Sequence, residues 1–318
     1  MQIGFHASHE QFPPSELLRL VRHAELAGFQ CAMCSDHFAP FSEAQGQSGF
    51  AWSWLGGALA TTQLSFGTVS APGYRYHPAV LAQAAATLSE MFPDRFWLAL
   101  GSGEYLNERS TGAAWPGMET RRARLRECAA IIRALLLGET VSHDGYVQVR
   151  DAKLYTRPKV PPKLFGAAVS PQSAALVAGW ADGLATVNQA PETMRRVVEA
   201  FRSNGGAGKP MHLQVHVAWA PAESEALANA HDQWKTNVFG APLLWDAPSP
   251  EHLDVAARHV QPEALRETVR VSADLAQQLA WLEQDRQLGF DAIYLHEVGR
   301  NQERFIETFG ARVLPQLR

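Results

Sequence analysis

The sequence predicts an α/β protein, a (β/α)8 TIM barrel with insertions, as one domain over residues 1–318. Three observations predict it. Eight short apolar runs alternate with helical patterns along the chain. Runs such as Phe96-Trp97-Leu98-Ala99-Leu100 are apolar at every position, as in strands covered on both faces of a parallel sheet. No break in composition serves as a linker, so the units share one sheet, and eight of them close it into a barrel. A doubly wound open sheet is the alternative. It usually carries a glycine fingerprint at its first strand–helix turn, and here that turn is Ala7-Ser8-His9-Glu10. Gly101-Ser102-Gly103 is only a fragment of such a fingerprint, because Leu106 stands where the third glycine belongs.

The elements follow in order. Gln2–His6 reads as the first strand. Pro13-Pro14-Ser15 opens a helix with Ser15 as N-cap and Glu16 in the first turn, and Gly28 ends it. Phe29–Cys34 is the second strand. Its Cys31-x-x-Cys34 pair lies in an apolar run with no second pair elsewhere, and reads as core rather than a redox or zinc motif. A polar loop follows to Gly49. Trp52–Thr62 is helical, Leu64–Val69 is the third strand, and Pro78–Met91 is a helix with proline in its first turn. Phe96–Leu100 is the fourth strand and Glu119–Leu137 a long helix. Thr140–Tyr155 interrupts the rhythm as a hairpin turning at Asp144-Gly145. Lys163–Ala168, Gly183–Val187, Met211–Ala220 and Asp291–Leu295 complete the strands. Ser170–Trp180, Pro191–Asn204, Ala273–Gly289 and Asn301–Leu314 complete the helices. His231–Arg266, rich in tryptophan and proline, reads as an inserted helical region.

Composition narrows the function. A net charge of -4 with no basic stripe argues against nucleic acid or an anionic membrane as partner. The N-terminus lacks the pattern of a signal peptide, and no apolar run approaches the ~20 residues of a membrane span. Three cysteines in 318 residues fit a reducing cytoplasm.

A barrel carries its chemistry at the C-terminal ends of its strands. Asp36-His37, after the second strand, is the best acid–base candidate, since histidine titrates near neutrality and a neighbouring carboxylate could orient it. Glu104, after the fourth strand, supplies a second carboxyl group for proton donation; Glu10 and His296 are weaker candidates. Asp36, His37, Glu104 and His296 could converge on a metal, but no H-x-H or H-x-x-E pair ends the first strand, and no metal is expected. Ser170-Pro171 starts a helix whose free N–H groups suit a phosphate, and would cap that helix in any case. Trp52, Trp54, Tyr74, Tyr76 and Trp115 either line an aromatic pocket or belong to the core.

Several segments in order carry a family resemblance: GFHASHEQFPPSELL near the start, SDHFAPF at Ser35–Phe41, GTVSAPGYRYHPAVLAQAAATL at Gly67–Leu88, GSGEYLNE at Gly101–Glu108 and AAVSPQSAALVAGWADGLAT at Ala167–Thr186. They resemble the luciferase-like flavin oxidoreductases, most of all the branch with the deazaflavin-dependent glucose-6-phosphate dehydrogenases. The resemblance covers nearly the whole chain and implies a barrel holding FMN or a 5-deazaflavin (coenzyme F-420) across its mouth. By resemblance His37 is the active-site base and Glu104 a proton donor. Asp36, Val69, Ser70, Asn107, Ala168, Val169 and Ser170 border the cofactor, with a non-prolyl cis peptide near Val69-Ser70. Glu10, Phe41, Trp54 and Asn188 fall to the substrate pocket. A homodimer is implied, and for an oxygen-using member a flavin reductase as partner.

The chain departs from the sugar-phosphate dehydrogenases. Phe41 replaces a tryptophan, Asn188 and Gln189 stand at a lysine position, and Glu267 or Thr268 at an arginine position. A doubly charged phosphate needs such cations, so a small uncharged substrate is expected. Val169-Ser170 replaces a glycine pair and is closer to FMN-binding members. The expectation is therefore an FMN-dependent oxidoreductase or monooxygenase, with a deazaflavin-dependent alcohol dehydrogenase as the alternative, and a metal-dependent hydrolase on the same barrel or a non-catalytic flavin-binding barrel as the alternatives of another class.

Overall fold

A computed structural model describes residues 1–317. Its strands are β1 (Gln2–Ala7), β2 (Cys31–Cys34), β3 (Ser65–Ser70), β4 (Phe96–Leu100), β5 (Val141–Asp144), β6 (Gln148–Ala152), β7 (Lys163–Ala167), β8 (Gly183–Val187), β9 (Met211–Ala218), β10 (Arg270–Val271) and β11 (Ala292–Glu297). Its helices are α1 (Pro14–Ala27), α2 (Ala51–Thr61), α3 (Pro78–Met91), α4 (Tyr105–Glu108), α5 (Met118–Leu137), α6 (Pro171–Ala178), α7 (Pro191–Phe201), α8 (Glu223–Trp234), α9 (Leu243–Asp246), α10 (Pro250–Ala256), α11 (Leu275–Gln287) and α12 (Gln302–Arg312).

β1, β2, β3, β4, β7, β8, β9 and β11 pair in that order, all parallel, and β11 returns to β1. The sheet is thus a closed eight-stranded barrel with helices outside, the architecture the sequence predicts. The apolar strands are why: their outward residues meet the helices through Leu17, Leu55, Leu81, Phe201 and Phe305, all fully buried. Their inward residues fill the barrel, where Cys31, Met33, Trp97, Phe165 and Tyr294 form a second cluster. Trp97 has room because Gly67 faces it. A Cβ on Gly67 would lie 1.8 Å from the indole. Cys31 and Cys34 are free and buried, and burial pushes the Cys31 thiol up to about 12, so neither behaves as a redox pair.

Several details differ from expectation. Ser15 does not cap α1; Pro13 holds that position without a side-chain bond, and Pro14 sets the first turn. β5 and β6 form the expected antiparallel hairpin. A further two-residue strand, β10, extends the sheet beside the end of β9. The inserted region begins earlier than predicted, because α8 already starts at Glu223. The expected cis peptide near Val69-Ser70 is absent. Val69 and Ser70 stay in register with Ala99 and Leu100, and Gly101 N–H donates to the Ser70 carbonyl, so β3 runs unbroken through that point. Among the described residues the one cis bond is Ala241-Pro242, and no helix is long and apolar enough to cross a membrane.

Candidate active site

The C-terminal ends of the strands surround a cavity of about 580 Å³. Its floor is the aromatic cluster inside the barrel. Trp97 donates from its indole nitrogen to the Tyr294 hydroxyl at 3.1 Å, and the His212 ring stacks on Phe165 at 4.3 Å.

Above the floor lies a tier of histidines and amides. Gln214 donates to both His216 Nε2 and His296 Nδ1, at 3.2 and 3.3 Å. His296 Nε2 lies 3.0 Å from Gln11 Oε1, and its ring stacks on His6 at 4.3 Å. Burial keeps these rings neutral, lowering His6 to about 3 and His216 to about 4, and His296 falls in the same direction. Sequence reasoning missed this tier apart from His296. The signal was available: His212, Gln214 and His216 alternate with apolar residues along β9, the period of a strand with one face turned to a cavity.

At the mouth, His37 sits between two carboxylates. Its Nδ1 pairs with Glu10 Oε1, and its Nε2 lies 3.9 Å from Glu104 Oε2. Glu10 is buried at the end of β1 and accepts from the Ser8 and Ser35 hydroxyls at 2.8 and 2.7 Å. Burial would lower His37, but the charge and hydrogen bond of Glu10, helped by Glu104, outweigh it and raise the ring to about 9. Glu10 moves the opposite way, held well below the usual carboxylate range by His37 and Ser35 against the cost of its burial. Burial raises Glu104, which favours its protonated form.

Glu104 is presented by backbone. It is the extended residue before α4, and its carbonyl accepts from Asn107 and Glu108 N–H at 3.1 Å each. Asn107 then joins the two chemical groups. Its side chain donates to Glu104 Oε2 at 3.1 Å and accepts from Phe38 and Ala39 N–H at 2.8 and 3.2 Å.

Asp36 does not orient His37. Adjacent residues on an extended chain point apart, and Asp36 turns to a separate network. It accepts from the Ser70 and Tyr76 hydroxyls, the latter at 2.7 Å, and pairs with Arg75 Nη1 at 3.2 Å. Arg75 in turn lies 3.8 Å from Glu108 Oε1, a carboxyl raised by burial. Tyr76, which the sequence offers as pocket wall or core, is thus a support of the β3 end, together with Arg75 and Glu108.

The other predicted positions divide. Val69, Ser70, Ala168, Val169, Phe41 and Asn188 line the cavity, as do Glu10, Asp36 and Asn107. Phe41 meets the His37 ring edge-on at 5.0 Å. Ser170 caps α6 by accepting from Ser173 N–H and is not among the residues that line the cavity. Trp54 is not in the cavity. Its indole donates to the Pro14 carbonyl and packs on Phe66, so it ties α2 to the core. Among the described residues no three His, Cys, Asp or Glu side chains are arranged to hold a metal ion.

The geometry suits a flat organic cofactor. Gly103 has φ +80°, and a Cβ there would press on Glu108 and Ala71, so the loop after β4 stays open toward the cavity. Among the described residues the lining holds the carboxylates Glu10, Asp36, Glu104 and Glu108 but neither lysine nor arginine.

Comparison with known proteins agrees. The luciferase-like monooxygenase family matches residues 1–308. An F420-dependent glucose-6-phosphate dehydrogenase of Beutenbergia cavernae is 33% identical over 329 residues, covering 100% of this chain and 98% of that relative. The enzyme of the same description from Mycobacterium tuberculosis (strain H37Rv) is 32% identical over 331 residues, with 100% and 98% covered. The structure of an F420-dependent secondary alcohol dehydrogenase in complex with an F420-acetone adduct superposes with a TM-score of 0.92 at 28% identity, covering 100% of this chain and 99% of that one. With a family match across nearly its whole length, the chain belongs to the luciferase-like family and is an oxidoreductase.

Proposed function

We propose that the chain is an F420-dependent dehydrogenase that oxidises an uncharged alcohol other than glucose 6-phosphate and catalyses the reverse reduction. One observation carries this reading: His37, fixed by Glu10 on one nitrogen, turns the other toward Glu104 at 3.9 Å, in a cavity whose described lining holds no lysine or arginine. Of the two coenzymes the sequence leaves open, the F420-dependent relatives favour the deazaflavin over FMN.

The residues present fit that group. The aromatic floor and the open loop at Gly103 leave space for a flat ring, bordered by Val69, Ser70, Ala168 and Val169. When bound, a deazaflavin would supply the acceptor for the hydride of the carbinol carbon. Neutral His37 takes the hydroxyl proton at Nε2, and Glu10 stabilises the imidazolium that results. Glu104, whose carboxyl burial raises, would be the donor of the proton that accompanies reduction of the coenzyme. In the reverse direction His37 returns its proton to the carbonyl oxygen. No flavin reductase takes part in this scheme.

The test is anaerobic. Purified protein is titrated with F420 and with FMN, then the F420 complex is mixed with a panel of alcohols while coenzyme absorbance is followed. F420 binding with reduction by at least one alcohol is expected. Failure to bind F420, or no reduction by any alcohol or oxidation by any carbonyl compound, sinks the reading.

A further inference from the structure

The cavity has two chemically different ends. Over His37 the roof is apolar, built from Phe41 with Phe239 and Leu244. Across from it, the ends of β8 and β9 and the segment before β10 form a polar wall without charge. In this wall Gln189 Nε2, Thr268 Oγ1, Trp234 Nε1 and Thr186 Oγ1 are buried and find no hydrogen-bond partner among the described residues, and all four residues line the cavity. Trp234 and Thr186 are 4% and 5% exposed.

The wall is rigidly held. Asn188 accepts from His216 N–H at 2.8 Å and donates to the Thr268 carbonyl at 3.0 Å, which fixes Thr268 beside the Gln189 segment. Trp234 packs against His216 and His296, at 5.1 and 4.7 Å between ring centres. Buried donors are nearly always satisfied in native structures. Buried donors without a partner, on residues that line a cavity, are candidates to meet the oxygen acceptors of a ligand. All four groups are amide or indole N–H or hydroxyl donors on residues of one wall, and none is a cation, so their natural partners are neutral oxygens rather than phosphate or carboxylate.

Resting on the dehydrogenase reading above, we propose that this wall binds hydroxyl groups of the substrate remote from the reacting carbon, and that the substrate is an uncharged polyol. Gln189 and Thr268 are its specificity residues. A simple alkyl alcohol leaves the wall unsatisfied, and a phosphate ester finds four carboxylates and neither lysine nor arginine among the described lining residues.

The experiment compares acyclic polyols with secondary alcohols of the same carbon number and with the polyols' phosphate monoesters. The F420-loaded enzyme is assayed for kcat/KM with each, and calorimetry measures binding of the polyols. Gln189→Met and Thr268→Val, which keep side-chain size, are measured alongside wild type after circular dichroism confirms their fold. The expected result is a polyol preference of at least about tenfold that collapses in both variants, together with weaker polyol binding, because sites built to hydrogen-bond a hydroxyl discriminate strongly against its absence. Equal or better use of the simple alcohol, a phosphate ester as best substrate, or an unchanged ratio and affinity in whichever variant folds overturns the proposal. The two readings separate cleanly. Polyol binding that both variants weaken, with no turnover of any alcohol, upholds the wall and sinks the dehydrogenase; turnover of simple alcohols without polyol binding or use does the reverse.

Discussion

A histidine ring withdrawn from water becomes a weaker base, and His6 and His216, at about 3 and 4, follow that rule. His37 moves the other way, to about 9, because Glu10 holds Nδ1 directly and its charge, helped by Glu104, outweighs burial. The consequence is a directional pH dependence. Alcohol oxidation needs the neutral ring, so kcat/KM for oxidation rises about tenfold per pH unit on the acid side and levels above about 9. Carbonyl reduction needs the protonated ring, so it is level below that pH and falls above it. Steady-state pH profiles in both directions check this. Glu10→Gln removes the charge that lifts the ring while burial remains, so the acid limb of the oxidation profile shifts to lower pH by about two units or more. A profile unmoved by the substitution contradicts the role given to Glu10. At this scale the sequence identified both partners, since Glu10, His37 and Glu104 all end barrel strands. It could not pair them: Asp36 is the neighbour in sequence, while Glu10 is the neighbour in space, through the pairing of β1 with β2.

At the scale of elements, the site depends on loops that no strand pattern describes. Asn107 is one residue of the short helix α4, yet it holds both Glu104 and the Phe38–Ala39 backbone. Asn107→Ala leaves two backbone N–H groups and one carboxyl without their partner. Stability falls by about 1–3 kcal/mol, read from urea unfolding. Loss of positioning lowers kcat by roughly 10- to 100-fold, read in the oxidation assay. Strands and long helices were legible to within a residue or two because their apolar periodicity is strong: Pro78–Met91, Phe96–Leu100 and Gly183–Val187 match the sequence reading. Caps and short pieces were not. Ser15 is a good N-cap residue displaced by the neighbouring prolines, and a two-residue strand such as Arg270–Val271 has no period to read. Trp54 illustrates the limit for aromatics, whose spacing alone does not separate a pocket wall from a core contact.

At the scale of the molecule, the barrel places the cavity and its interior sets the floor. Trp97 fills the barrel only because Gly67 yields space, so Gly67→Ala overpacks the core and destabilises by at least about 1–3 kcal/mol. Gly56→Ala is the control. It lies in α2 with nothing near its added methyl, and helix propensity makes it neutral to about 1 kcal/mol stabilising. Denaturant midpoints of the two variants compare them directly. The barrel was legible in the chain because eight apolar strands leave few other topologies. The coenzyme was harder to read, since the glycines and the Ser170 cap accommodate a ring and its tail without naming them; relatives rather than residues favour F420.

The central claim is hydride transfer from a carbinol carbon to a deazaflavin, with the hydroxyl proton passing to His37. It is tested by single-turnover reduction of the F420-loaded enzyme with an alcohol deuterated at the carbinol carbon. A primary isotope effect, deuterium recovered in the reduced coenzyme, and loss of the step in His37→Ala are expected. Deuterium washed into solvent, or oxidation that proceeds only with reduced FMN and oxygen, contradicts it.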